Sequence, residues 1–253
     1  MPENMYTEAM SETMGRLRIT LRNYPRDVRQ LGQSSIEDGD VHIWHAFCGS
    51  NPGLEGLSEL LTPDERERMA RFRFETDQQN FLFCRSMLRI LLASYLGSSP
   101  AELRFAYSAH GKPSLAAPPN GLEFNLSHSA GTVLLAVCQG RRIGVDVERI
   151  RHDFKVEEIA QKFFSVAERQ ALEQETSVHD AFFHCWTRKE AFVKARGEGL
   201  SCPLDSFDVS VSPNVEEVTL STRPDSSEAR HWKLWSLNFF PEHAAALAME
   251  CGA

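Results

Sequence analysis

Val41–Phe47 alternates polar and apolar positions in β-favouring residues, which predicts a strand. The pattern then changes to helix. Thr62-Pro63-Asp64-Glu65 combines a capping hydroxyl, proline at the first helical position and Glu three residues after the cap, so a helix starts there and runs to about Arg73. A second start at Thr76-Asp77 opens a helix whose apolar positions Phe81, Cys84, Leu88, Leu91 and Tyr95 recur at helical spacing and which Gly97 closes. Arg85 and Arg89 lie one turn apart on it, and Arg85 sits in a largely apolar stretch, where a cation needs a partner.

From Leu103 to Glu148 short alternating runs are punctuated by Gly and Pro turns, among them His110-Gly111-Lys112-Pro113 and Gln139-Gly140. They predict antiparallel strands at about 103–107, 122–126, 132–138 and 142–148. Ser165-x-x-Glu168 is a capping box that opens a helix behind Phe163-Phe164, and a longer helix over about 179–196 is closed by Gly197 and Gly199. Four more β-like runs follow, near 206–211, 216–221, 231–238 and 244–251. Helices beside small, mostly antiparallel sheets predict an α+β class rather than a βαβ winding. The polar stretch 1–40, with one apolar alternation at Leu17, Ile19 and Leu21, reads as an N-terminal extension that is partly disordered. The rest divides into an N-terminal lobe, 41–143, and a C-terminal lobe, 144–253.

Charge narrows the partners. With 27 Lys+Arg against 35 Asp+Glu the net charge is -8, which excludes a surface built to neutralise nucleic-acid phosphates, so any bound phosphate needs a local basic pocket. No run has the length of a membrane span or of a secretory apolar core. Six cysteines without a C-x-x-C pair read as reduced thiols of a cytoplasmic protein.

Three clusters could carry chemistry. Asp146 and Glu148, two apart on a strand, project from one face, and carboxylates held so close repel unless a cation or proton joins them; a solvated acidic edge is the plain alternative. Glu190 and Lys194, four apart on the long helix, share a face, which equally describes a surface ion pair. At Asn125-Leu126-Ser127-His128-Ser129 a β-run ends in hydroxyls and an imidazole; a Ser beside a His is no triad, and the hydroxyls suit either backbone bonding or an anion. Arg66, Arg68, Arg71, Arg85, Arg89 and Lys112 are basic residues scattered on an acidic chain.

Taken in order, Gly111-Lys112-Pro113, Phe124-Asn125-Leu126-Ser127-His128-Ser129, Gly144-Val145-Asp146-Val147-Glu148 and Trp186-Thr-Arg-Lys-Glu190-Ala-Phe-Val-Lys194-Ala-Arg-Gly197 resemble the Sfp-type 4′-phosphopantetheinyl transferases. The last run follows the family's W-x-x-K-E-A-x-x-K-A-x-G pattern throughout. The resemblance spans about 41–250 and implies two similar lobes in one chain, a monomer, that binds coenzyme A and Mg²⁺. It implies transfer of the 4′-phosphopantetheine arm to a serine of an apo acyl or peptidyl carrier protein, with release of adenosine 3′,5′-bisphosphate. Carried over residue by residue, Asp146, Glu148 and Glu190 are the metal ligands, and Glu190 and Lys194 the catalytic pair. Arg68, Arg85, Gly111, Lys112, Pro113, Ser127, His128, Asp146 and Lys194 contact coenzyme A. Glu65 and Asn80 stand where relatives carry basic residues, which leaves the coenzyme A 3′-phosphate to Arg68. Phe163, Phe164, Phe182 and Phe183 are candidates for the carrier surface, although paired aromatics are more often core. A catalytically idle binding module and a Mg²⁺-dependent phosphohydrolase are the alternative readings.

Overall fold

The computed structural model describes residues 11–14, 17–25, 31–48, 56–116 and 121–251. The elements in chain order begin with β1 (Ser11–Met14), β2 (Leu17–Asn23), β3 (Asp40–Phe47), α1 (Pro63–Ala70) and α2 (Glu75–Leu96). Then come β4 (Phe105–Tyr107), β5 (Pro113–Leu115), β6 (Leu122–Ser129), β7 (Thr132–Gln139) and β8 (Ile143–Arg149). Three helices follow, α3 (Val156–Phe163), α4 (Val166–Leu172) and α5 (Val178–Arg196), and then β9 (Phe207–Val209), β10 (Glu217–Val218), β11 (Leu220–Thr222), β12 (Trp232–Ser236) and β13 (His243–Glu250). The class is α+β, as the pattern predicts. By proximity the chain divides into two compact units that alternate along the sequence. The first comprises residues 1–106, 115–122 and 131–140, and the second 107–114, 123–130 and 141–253.

In the first unit β2 pairs in parallel with β3 and β3 antiparallel with β7, so Leu17–Asn23, within the expected extension, is a sheet strand. The alternation there buries Ile19 within otherwise polar surroundings, which hid the strand in the composition of its neighbours. Ser11–Met14 pairs antiparallel with β2, and within the expected extension residues 1–10, 15–16 and 26–30 lie outside the described residues. Both Thr62 and Glu65 complete the predicted capping box of α1. Helix α2 is buried on every side from Phe83 to Ala93, including Arg85 and Arg89. Glu65 makes that possible: its carboxylate takes Arg89 Nε at 2.9 Å and Nη2 at 2.8 Å, and Arg85 Nε at 3.4 Å. Arg89 Nη1 also donates to the carbonyls of Pro100 and Leu103, at 2.8 and 3.2 Å.

The second unit is built on the antiparallel order β10-β12-β13-β8, with α5 packed across β8 and β13. The expected strand 216–221 divides, because Glu217–Val218 pairs with β12 while Leu220–Thr222 pairs with β9. Helix α3, unmarked in the sequence by any side-chain cap, supplies Val156 and Ala160 to the core. Phe164, Phe182 and Phe183 are core rather than carrier surface. Phe164 stacks on Phe182 at 5.2 Å between ring centroids, and Phe163 is partly buried against the same cluster. A buried ion pair ties the helices together: Lys189 Nζ meets Glu168 Oε1 at 2.7 Å and donates to the carbonyls of Leu204 and Phe207 at 2.6 and 2.7 Å. Glu168 meanwhile closes the predicted capping box with Ser165. Gly144 lets α5 approach. A Cβ there would overlap the Ala191 carbonyl oxygen and the Ala195 amide nitrogen, so the strand and the helix meet backbone to backbone.

Candidate active site

The second unit gathers the strand and helix carboxylates of the sequence motifs. Strand β8 presents Asp146, 3% exposed, and Glu148, half-buried, as residues two apart must. Helix α5 lies over that strand and carries Glu190 and Lys194 one turn apart. Lys194 Nζ contacts Asp146 Oδ1 at 2.6 Å and Ser127 Oγ at 3.0 Å, and Ser127 donates to the same Oδ1 at 2.8 Å. The Glu190–Lys194 surface pair therefore gives way to a cross-element pair between Lys194 and the strand carboxylate.

The field is acidic, with one lysine among three carboxylates. Burial raises the Glu190 carboxyl above its ordinary range, and the charges of Asp146 and Glu148 add to that against the opposing pull of Lys194. Glu148 is raised by burial first and by Asp146 as well, while the Ser129 hydroxyl draws it back. Desolvation lowers His128, and Lys194 lowers it further. No three His, Cys, Asp or Glu side chains form a closed metal cluster among the described residues. The donor chemistry nevertheless fits a hard cation. Asp146 Oδ2 is buried with no hydrogen-bond partner, a costly state for a carboxylate oxygen that a divalent ion would relieve.

Beside these groups lies a cavity of about 300 Å³ lined by Glu190, Lys194, Val193, Asn125, Gly111-Lys112-Pro113, Gly197 and Gly199. Gly197 closes α5 with φ +76°, the left-handed conformation that favours glycine. The structure thus brings together Gly111, Lys112, Pro113, Ser127, Asp146, Glu148, Glu190 and Lys194 in one unit, with His128 exposed next to Ser127. Lys112, expected to contact the nucleotide, lines this cavity. Its ammonium donates to the carbonyls of Ile143 at 3.0 Å and Lys194 at 2.6 Å, bracing the last turn of α5 against β8. Arg68 and Arg85 belong to the first unit. Arg68 is exposed with its guanidinium 5.7 Å from the Phe81 ring centre, whereas Arg85 is buried with Nε on Glu65.

Sequence reasoning named two further residues of this run without giving either a role of its own. Asn125 Oδ1 accepts from the Val145 amide at 2.9 Å, and Ser129 donates to Glu148 Oε2 at 2.7 Å. Their period of two with Ser127 was the available signal, because it puts all three on one face of β6.

Comparison with known proteins bears on this arrangement. The model of the 4′-phosphopantetheinyl transferase superfamily matches residues 142–248, and that of the 4′-phosphopantetheinyl transferase N-terminal region matches 48–140. The chain is 35% identical over 190 residues to the 4′-phosphopantetheinyl transferase HetI of Nostoc sp., covering 73% of this chain and 79% of that protein. It is 33% identical over 157 residues to 4′-phosphopantetheinyl transferase Sfp of Bacillus subtilis, with 61% and 68% covered. To the rat L-aminoadipate-semialdehyde dehydrogenase-phosphopantetheinyl transferase it is 28% identical over 229 residues, with 81% and 74% covered.

Proposed function

From the 4′-phosphopantetheinyl transferase superfamily, to which this chain belongs, we infer that its carboxylate and lysine site moves the 4′-phosphopantetheine arm of coenzyme A onto a serine hydroxyl of an apo acyl or peptidyl carrier protein. The observation that carries the reading is the convergence of Asp146, Glu190 and Lys194 from a strand and a helix beside one cavity, with a buried Asp146 oxygen lacking a donor.

The serine oxygen forms a bond to the β-phosphorus of the coenzyme A pyrophosphate, the bond from that phosphorus to the bridging oxygen breaks, and adenosine 3′,5′-bisphosphate leaves with the electron pair. Asp146, Glu148 and Glu190 would hold Mg²⁺, which when bound supplies positive charge against the pyrophosphate. Lys194 supplies a further charge to the phosphate oxygens, on which phosphoryl transfer chiefly depends. Glu190 accepts the serine proton, directly or through an intervening water. Ser127 holds Asp146 and Lys194 in register, His128 stands next to them at the surface, and Gly111-Lys112-Pro113 walls the cavity that takes the nucleotide end. Arg68 and Arg85 stay as contacts proposed from the family motif, Arg68 being the exposed one of the two.

With this reading go two similar lobes, 41–143 and 144–253, in a chain that works as a monomer. A cytoplasmic setting agrees with six cysteines that are all free. No helix among the described residues is long and apolar enough to cross a membrane.

The test is intact-mass spectrometry of several apo acyl and peptidyl carrier proteins incubated with the chain, coenzyme A and Mg²⁺. A gain of one phosphopantetheine mass that EDTA abolishes is expected. Loss of the arm from coenzyme A to water, without carrier modification, would point instead to a phosphohydrolase.

A further inference from the structure

Strand β6 reaches β8 with a regular row of its side chains. Asn125, Ser127 and Ser129 alternate along β6 and so share a face. Each engages the next station on β8. Asn125 accepts from the Val145 amide at 2.9 Å, and Ser127 donates to Asp146 Oδ1 at 2.8 Å. Ser129 donates to Glu148 Oε2 at 2.7 Å while accepting from the Arg149 amide at 3.2 Å. Strand β8 pairs with β13 on one side, so this row serves its other edge.

Sealing an edge would explain the two amide contacts, but it does not explain where the hydroxyl protons go. A serine has one proton to donate, and both serines give it to a carboxylate rather than to a backbone carbonyl. We propose that Ser129 is a positioning residue for the cation site: its oxygen, fixed by the Arg149 amide, holds one oxygen of Glu148 and keeps the other available as a ligand. This rests on reading Asp146, Glu148 and Glu190 as that site. A free glutamate side chain must lose its rotamer freedom on binding an ion; Glu148 has lost much of it already. Partners of this kind behind a metal ligand are worth about 10–100-fold in affinity.

The experiment titrates the full chain with Mn²⁺ and follows free Mn²⁺ by electron paramagnetic resonance, for wild type, Ser129→Ala, Ser129→Thr and Glu148→Gln. Glu148→Gln should lose the site. Ser129→Ala should weaken Mn²⁺ by about 10-fold or more with an unchanged melting temperature, and Ser129→Thr should restore affinity. In turnover, Ser129→Ala should need correspondingly more Mg²⁺ for half-maximal rate, while the KM for coenzyme A and the kcat at saturating Mg²⁺ hold. Wild-type Mn²⁺ affinity in Ser129→Ala, with Glu148→Gln still defective, overturns the role of Ser129 alone. A wild-type chain that binds no Mn²⁺, or a Glu148→Gln chain that binds it normally, overturns the site reading and this role with it.

Discussion

Replacing Gly144 by alanine adds one methyl group at the point where β8 and α5 touch. The new Cβ would overlap the carbonyl oxygen of Ala191 and the amide nitrogen of Ala195, and would stand 3.0 Å from Ala195 Cα. All three atoms are backbone, so no side-chain rotation makes room. The helix must retreat by about 1 Å, and overpacking of this kind costs roughly 1–3 kcal/mol in a filled core. For a chain of this size that is a fall in Tm of about 2–12 °C. The retreat also moves Glu190 and Lys194, which directly precede the two alanines, away from Asp146, to which Lys194 is now bonded at 2.6 Å. A displacement of about 1 Å in a catalytic group can cost on the order of 100-fold in rate. The assay pairs thermal unfolding with Mg²⁺-dependent loading of an apo carrier protein. Because the overlapped atoms are main-chain, adding Ala191→Gly or Ala195→Gly should rescue neither. Gly144→Ala with native Tm and native turnover would refute the backbone-to-backbone contact, and rescue by either glycine would show that side chains set the spacing.

Other expectations are simpler. Glu190→Gln should fold normally and lose about 10²–10⁴-fold in kcat, the worth of a general base, as measured by carrier loading; near-native turnover would remove Glu190 from that role. Lys189→Met leaves the buried Glu168 carboxylate without its cation, and loss of one partner from such a pair costs about 3–5 kcal/mol, readable by urea unfolding. Acid should weaken the fold through His42 and His184, both buried and both pushed down to about 4 by desolvation. The unfolded chain takes up those protons near the ordinary histidine pKa of 6.5, so the unfolded state binds more protons between pH 6.5 and 4, and stability falls as pH falls through that window. Each ring contributes at most about 3 kcal/mol, less where residual water screens it. His42→Gln should flatten the slope of unfolding free energy against pH between 7 and 4.5; an unchanged slope would show that its burial costs nothing on protonation.

How far the sequence disclosed this depended on whether a signal was local. Capping boxes at Thr62 and Ser165 and the glycine stop after α5 are written within four residues, and they mark real helix ends. Spacing alone put the strand carboxylates and the pair on α5 on shared faces, and the family resemblance gave them their expected roles. Ser129 was seen in its run but given no role of its own, because its meaning depends on a contact with Glu148 across 19 residues of chain. Lys189 sits inside the most recognisable motif, yet its work is done on Glu168 in the preceding helix, so only packing shows it to be structural. Arg85 is the reverse case: the need for a partner was visible, but not that Glu65, itself a capping residue, is the partner. Strand β2 was passed over because its parallel partner β3 begins 17 residues after β2 ends, so no local pattern ties the two together.

The interleaving of the two units bears on how this chain can be divided. The family models meet between residues 140 and 142, which invites a cut there. Such a cut keeps both carboxylates of β8 and all of α5 on one fragment, but it leaves Lys112, Asn125, Ser127 and Ser129 on the other. The fragment from 142 onward would leave the border of β8 that these side chains serve without its partners, a row of unanswered amides and carboxylates free to recruit another chain. Either half alone is therefore incomplete: the later part carries Asp146, Glu148, Glu190 and Lys194, and the earlier part carries the hydroxyls and the side-chain amide that bond to their strand.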